Sequence, residues 1–436
     1  MMRVAVKNRL QRIITFVFIC FSLCVELAFA EPKQVSIAYL SEGLEMPPAL
    51  SNLDPVIHDG GTQGAHLAIK DNNTTGQFTN QRFLLEEFRV PLRGDIGDVF
   101  RNIVAKGHRL VIANLTAASL RKLQALPKFD GILVFDVATR DDEFRSAECR
   151  PNLLHMLPSR AMRSDALAQY FVKKRWTEWF IVIGPEPADL LYAQAIRRSA
   201  RKFGIKIIEE KRWEHSYDAR RTAQSEVPVF TQNVDYDILI VADEKGMFGE
   251  YLVYRTWTPR LIAGTQGLVA TSWHRTHEQW GAVQLQNRFR EQAGRWMTEQ
   301  DYGAWLAVRA IGESATRSQS VDFVKIKQFL LSKEFSLAGF KGKKLTFRSW
   351  NGQLRQPVLL AAARSLVTAA PLDGFLHPTN ELDTLGYDQS ESSCGSTENL
   401  AGVITPQPRP DQDKVGTKQG FFLWWEKLKK KLLREK

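Results

Sequence analysis

VSIAYL (residues 35–40), followed after a gap by GAHLAIKD (residues 64–71), is the stretch whose reading decides the fold. The first is a short, nearly continuous apolar run and reads as a buried strand. The second has apolar residues at helical intervals and is followed by the polar stretch NNTTG (residues 72–76), which reads as a helix stop. The same alternation recurs along the chain. Strand signals fall at 82–90, 110–115 (LVIANL) and 131–137 (GILVFDV), with helical patterns at 96–105 and 118–126. Strands separated by helices of about ten residues require right-handed crossovers, and these give a parallel sheet covered on both faces.

The pattern then restarts. A helix is expected over 164–175, strand WFIVIG over 179–184, a helix over 190–203, and strands at 205–208 and 236–242 (YDILIVA). Amphipathic helices follow at 301–314 and 321–331, and short strand signals at 345–347 and 358–361. The expected fold class is therefore α/β, with two doubly wound parallel-sheet lobes joined by a multi-crossing hinge. No repeat of 20–50 residues is visible.

The first thirty residues bear on compartment. Arg3, Lys7, Arg9 and Arg12 precede an apolar run over 13–27, and AFA (28–30) supplies a small-x-small cleavage site before Glu31. That is the layout of a cleaved signal peptide, and it predicts a periplasmic protein. A retained N-terminal anchor is the alternative. Cys24 invites lipoprotein processing, but bulky Leu23 before it argues against this. After cleavage only Cys149 and Cys394 remain, and an oxidising compartment permits them to pair.

About 400 residues remain, more than one core usually supports, in agreement with two lobes. The net charge of +11 is concentrated at the two ends of the chain, and no dispersed basic surface with interleaved aromatics is present. Nucleic-acid binding is not expected. The composition of 44% hydrophobic and 25% charged residues is ordinary for a soluble protein, with no second long apolar run.

Particular residues now carry a resemblance. GAHLAI (64–69), DNN (71–73) and Gly76 look like the first-helix signature of type I periplasmic substrate-binding proteins, the family of the branched-chain amino acid binders. DYGAWLAVRAIGES (301–314) is similar to that family's helix of return to the first lobe. FLLSKEFSLAGFKGKKLTFRSWNGQLRQPV (329–358) resembles the segment after it. More narrowly, CRPNLLHMLPSRAMRSDAL (149–167), EQWGAVQLQNRF (278–289) and HPTNELDTLGYD (377–388) resemble a subfamily of ABC-importer binding proteins associated with pyrroloquinoline quinone-dependent alcohol oxidation. The broad resemblance covers roughly residues 34–394.

It implies a venus-flytrap protein that closes on a small solute and docks on an ABC permease in the inner membrane, with no bond made or broken and no cofactor. An accessory or ligand-sensing protein that supports a quinoprotein dehydrogenase without transport is the alternative. The implied organisation is signal peptide 1–30, first lobe 31–148, second lobe 149–282, return to the first lobe 283–344, second-lobe completion and hinge 345–394, linker 395–420 and tail 421–436.

In open α/β sheets, ligands bind beyond the carboxyl ends of strands, where helix N-termini present free N–H groups. That rule selects Ser41 and Glu42, then Thr116, Ala117 and Ser119, then Ala138, Thr139 and Arg140 in the first lobe. In the second it selects Gly184, Pro185 and Glu186, Asp243 and Glu244, and Thr265 and Gln266. By the resemblance to amino acid binders, Thr116 and Ser119 would take a carboxylate, and Asp243 or Glu244 an ammonium. Each hydroxyl has a plain reading as an N-cap or turn residue. PEP (185–187) replaces the turn expected of an amino acid binder, and the loop after Tyr39 lacks the family's Gly-rich form.

Other clusters have duller readings. HRTHE (274–278) offers histidines at i and i+3, but flanking Trp273 and Trp280 favour a packed surface segment over a zinc site. Asp141, Asp142 and Glu143 read as a solvated acidic loop. Cys149 with His155 mimics a thiol hydrolase, and a disulfide to Cys394 is the expected use of that cysteine. His377, Glu381, Asp383 and Asp388 read either as a metal cluster or as the stapled end of a hinge. No G-x-S-x-G, Walker loop or C-x-x-C occurs, so no enzyme is expected. The tail FFLWWEKLKKKLLREK (421–436) reads as a weak membrane-surface contact or as a disordered basic end.

Overall fold

Alternate residues of the first strand, β1 (Lys33–Glu42), pack on opposite faces of one sheet. Val35, Ile37 and Tyr39 join one apolar cluster, and Ala38 and Leu40 join another. Burial on both faces is why the strand reads as a nearly continuous apolar run, broken only at Ser36. The structure, a computed structural model, describes residues 31–43, 56–214 and 219–394. The expected signal peptide, linker and tail lie outside the described residues.

Four further strands complete the first sheet: β2 (Gln81–Val90), β3 (Leu110–Asn114), β4 (Leu133–Asp136) and β5 (Leu153–His155). They run in the order β2-β1-β3-β4-β5 with every pair parallel. The helices Thr62–Thr79 and Glu299–Arg317 cover one face, while Ile96–Ala105 and Ala117–Gln124 cover the other. β5 was not expected, so the first lobe continues past residue 148. Its three residues, Leu153–His155, follow Arg150, Pro151 and Asn152 and carry too little pattern to be read as a strand.

The second lobe begins with the Arg160–Lys174 helix, capped by the Ser159 hydroxyl, which accepts from the Met162 N–H. Then come β6 (Glu178–Ile183), β7 (Lys206–Arg212), β8 (Ile238–Ala242), β9 (Leu261–Gly264) and β10 (Leu268–Thr271). A small antiparallel ribbon follows: β11 (Leu337–Ala338), β12 (Lys344–Phe347) and β13 (Leu354–Arg355). Its Leu337, Leu345 and Leu354 pack in the first lobe's core, so the 345–347 strand belongs to the first lobe and not to second-lobe completion. β14 (Val358–Ala362) and β15 (Ser365–Ala370) then close the second sheet, in the order β15-β14-β10-β9-β8-β6-β7. Its strands are parallel except for the antiparallel β14 and β15 at one edge.

The first helix does not stop at the polar stretch 72–76 but runs on to Thr79. Each interruption is answered by a tertiary partner. Asn72 donates to the Val308 carbonyl at 2.8 Å, and Asn73 exchanges two hydrogen bonds with the Phe83 backbone. Gly76 lies so close to the Gln81 carbonyl that a Cβ would meet it at 2.2 Å. Gly64 likewise lets this helix touch the Glu299–Arg317 helix, where a Cβ would stand 1.8 Å from the Asp301 carbonyl oxygen.

The chain crosses between lobes three times, from β5 into the Arg160–Lys174 helix, from β10 into the Ala282–Ala293 helix, and from β13 to β14. Buried amides tie the crossings together. Gln353 accepts from Arg145 Nε at 2.7 Å and donates to the Leu157 carbonyl at 3.1 Å, and Gln356 donates to the Met156 carbonyl at 2.6 Å. His155 sits beside Asp136, with Nδ1 2.9 Å from its carboxylate, and burial followed by the Arg145 charge pushes the imidazole down to about 4.

The C-terminal stretch is fixed to this region. Asp383 is buried and accepts from Arg348 Nε and Arg355 Nε, both at 2.8 Å. A Cys149–Cys394 disulfide, Cα to Cα 5.6 Å, joins the stretch to the loop before β5. Among the described residues, no helix is long and apolar enough to cross a membrane.

Two outcomes are expected. Gly64→Ala should lower stability by about 1–3 kcal/mol, the usual cost of overpacking, read as a lower urea midpoint; an unchanged midpoint would show that the helices separate freely. Non-reducing peptide mapping should recover a Cys149–Cys394 peptide pair. Reduction should lower the melting temperature, because a bridge closing 245 residues removes on the order of 5 kcal/mol of unfolded-chain entropy.

Candidate functional site

The carboxyl ends of β1 and β3 form the floor of a cavity of about 610 Å³ in the first lobe. Ser41, Glu42 and Asn114 line it together with His58, Asp59, Thr298 and Gln300. The floor is rigid because its polar groups are mutually bonded. The Tyr39 hydroxyl donates to the Gly60 carbonyl at 3.0 Å, and Asn114 donates to the same oxygen at 2.8 Å. Burial pushes the Tyr39 phenol well up. The Gly61 N–H reaches Asp301 Oδ1 at 2.8 Å, with φ at +85° in the region that glycine occupies freely.

Thr116 caps the Ala117–Gln124 helix, its hydroxyl accepting from the Ser119 N–H at 3.3 Å. Two further donors at this helix start, the Thr116 N–H and the Ser119 hydroxyl, are also engaged. Glu42 accepts from the Thr116 N–H and, at 2.5 Å, from the Ser119 hydroxyl. A helix N-terminus attracts a carboxylate through its free N–H groups and dipole. Here the carboxylate belongs to the chain.

A second cavity, of about 300 Å³, opens at the carboxyl ends of the second-lobe strands. It brings together Asp243, Glu244, Thr265 and Gln266, as the topological rule expects, and adds Arg140, Arg163, Tyr192 and Glu299. The two acids are engaged. Asp243 accepts from the Met247, Phe248 and Gly249 N–H groups at 2.9, 2.8 and 2.7 Å. Glu244 takes a bidentate pair from Arg160 at 2.8 and 2.7 Å. Thr265 accepts from the Asp243 N–H, and Gln266 donates to the Asp243 carbonyl. Neither acid is left as a bare ammonium acceptor. Glu186 lies outside both cavity linings and pairs with Lys245 at 2.6 Å, while Thr139 is buried and donates to Asp136. Ala117 sits in the first turn of its helix, away from both linings.

Glu299 holds the middle. It accepts from Arg140 of the first lobe at 2.9 Å, and from Arg163 at 2.7 and 2.6 Å and the Ser272 N–H at 2.6 Å on the second-lobe side. Its side chain is only 12% exposed. Burial alone would raise the carboxyl, but the Arg163 and Arg140 guanidiniums hold it far below the usual carboxylate range. The neighbouring Arg163 charge, with burial, pushes Arg140 down in turn. Thr298 and Gln300 face the first cavity and Glu299 the second, so this helix start separates the two.

Sequence reasoning did not assign Arg163 or Glu299 to the site. One signal for Glu299 was present: Thr298 and Asp301 form a capping box, which places Glu299 at the first position of its helix. The acidic loop is not simply solvated. Asp141 pairs with Arg160 at 3.0 Å, and Asp142 accepts from the Ala161 N–H; Glu143 alone stays exposed, against Arg121. His277 lies 2.7 Å from the Phe340 carbonyl and Trp273 is buried, although Trp280 is exposed. Among the described residues, no three His, Cys, Asp or Glu side chains stand together as a metal site.

No protein-family model and no curated protein matches the chain. Solved structures do. A branched-chain amino acid ABC transporter periplasmic ligand-binding protein from Burkholderia xenovorans aligns with TM-score 0.63 at 16% identity, covering 84% of this chain and 100% of its own. An ABC transporter substrate-binding protein from Sphaerobacter thermophilus aligns at 0.64 and 14% identity, over 81% and 100%. A third, from Desulfitobacterium hafniense in complex with Leu, aligns at 0.57 and 13%, over 78% and 100%. The chain has the type I periplasmic binding protein fold. Three crossings link its lobes, and the Glu299 ion pairs span the same junction.

Glu299→Gln should destabilise the protein by about 3 kcal/mol, because it leaves two buried guanidiniums facing each other. With its folded value depressed, Glu299 stabilises fully above the ordinary glutamate range, and this contribution is lost as acid protonates it. The gap between wild type and Glu299→Gln in urea melts should therefore be largest near neutrality and close at low pH. A gap independent of pH would rule out the charge as its source.

Proposed function

We propose that this chain is the periplasmic solute-binding component of an ABC-type importer, holding a small solute between two lobes and delivering it to an inner-membrane permease. The observation that carries this reading is the placement of two cavities at the carboxyl ends of two parallel sheets, parted by one helix start and joined by three crossings. The named neighbours, which include amino acid binders, support the same class of function. A periplasmic location rests on the leader-like residues 1–30, and a link to quinoprotein alcohol oxidation rests on the segment resemblances alone.

Under this reading Ser41 and Asn114 in the first lobe and Thr265 and Gln266 in the second present polar groups to the solute. Glu42 sets the character of the first-lobe wall, and Thr116 and Ser119, outside the lining, hold its carboxylate. Asp243, Glu244, Glu186 and Thr139 hold backbone and cations in place around it. Solute contact with both lobes shifts the hinge equilibrium towards closure.

A thermal-shift screen of the purified protein against amino acids, alcohols, amines, carboxylates and quinone cofactor tests the proposal. A true solute at 100 times its Kd should add about 2.7 kcal/mol of stability, and small-angle scattering should report a smaller radius of gyration in the same sample. Stabilisation by no class of solute, or chemical turnover of one, would overturn the reading.

A further inference from the structure

At the start of the Ala117–Gln124 helix the Thr116 N–H and the Ser119 hydroxyl form a carboxylate cradle, and a carboxylate already fills it. Glu42 is the last residue of β1, Thr116 follows β3, and these strands are hydrogen-bonded neighbours. Parallel registry therefore places the Glu42 side chain over the start of the helix that follows β3. One carboxylate oxygen takes the Thr116 N–H and the other takes the Ser119 hydroxyl at 2.5 Å. Glu42 also lines the 610 Å³ cavity, so the same group forms part of the wall that a solute would meet.

We infer that Glu42 is a built-in substitute for a ligand carboxylate, which makes the first-lobe cavity selective for small solutes that carry hydroxyl or amine donors and no carboxylate. This inference rests on the solute-binding reading and specifies its substrate class. Two effects act in the same direction. A ligand carboxylate finds the Thr116 N–H and the Ser119 hydroxyl engaged, and in the cavity lining it meets the like charges of Glu42, Asp59 and Glu87 against the one guanidinium of Arg89. An ionised carboxylate has about four lone-pair sites and no proton to donate. Two of Glu42's sites are used by Thr116 and Ser119, and those that remain accept O–H or N–H groups of a solute. The second lobe offers no compensating ammonium site, since Asp243 and Glu244 are bound to backbone N–H groups and to Arg160.

The test uses the full chain and a matched four-carbon set: butyrate, butan-1-ol and butylamine. Titration calorimetry should rank butyrate last for wild type, at least tenfold weaker than the better of the other two. Glu42→Ala should gain butyrate binding by at least tenfold, and adding Ser119→Ala to that variant should remove most of the gain. Wild type that binds butyrate as well as butan-1-ol or butylamine would overturn the inference, and this arm needs no variant to fold. A well-folded Glu42→Ala protein with no gain would overturn it too. Failure of the solute-binding reading looks different: no solute of any class stabilises wild type, whatever Glu42→Ala does with butyrate.

Discussion

A parallel sheet buried on both faces confines polar chemistry to its ends, and much of this molecule follows from that constraint. Along β6 and β8, and over Ile37–Leu40 of β1, the interior positions are apolar and alternate between two cores. Charged and hydroxyl groups gather where the strands stop and the next helices begin. There the backbone supplies unsatisfied N–H groups, and side chains compete to satisfy them. Asp243, Asp142 and Glu42 each resolve that competition locally, by accepting from a neighbouring helix or loop start. The cavities are thus lined in part by groups that are already bonded, among them Glu42, Asn114, Asp243 and Glu244, and at these a solute must meet the valences left over.

The lobes are linked by polar contacts of a different kind. Gln353 and Gln356 are fully buried, and an amide in that position is costly unless its donors and acceptors are matched. Both are matched, to Arg145 and to backbone carbonyls around 155–157. Glu299 adds a charge-paired junction in the cleft. The C-terminal stretch braces the same region from outside, through Asp383 on Arg348 and Arg355 and through the Cys149–Cys394 bridge. Asp383 is therefore part of a fastening, while His377 stands 3.5 Å from Asp388 and Glu381 pairs with Lys343.

Much of the fold was legible because it is written in local period. β1, β3, β4, β6 and β8 contain short apolar runs, and the Glu299–Arg317 helix is apolar enough to be buried along most of its length. Among the strands that escaped, β5, β9, β10, β11 and β13 have two to four residues each, and a run that short carries no period; β15, with six residues, escaped as well. The first helix was read as ending at its Asn and Thr residues, which on their own favour a stop. Partners on the Glu299–Arg317 helix and β2 carry it through to Thr79. In the site, topology located Glu42, Thr116, Ser119, Asp243 and Glu244 at strand ends, but it was silent on what each would bind.

The chain's own periodicity determined that there would be two α/β lobes, because backbone geometry converts a run of apolar residues into a strand or helix without reference to distant parts. Only the tertiary structure decided which charges meet. Glu42 and Ser119 lie 77 residues apart, and Arg140 and Glu299 lie 159 apart. Ion pairs and hydrogen bonds act over a few ångströms and leave no trace in sequence spacing, so Glu42 reads as a ligand contact in the sequence and becomes, in the fold, the occupant of that place.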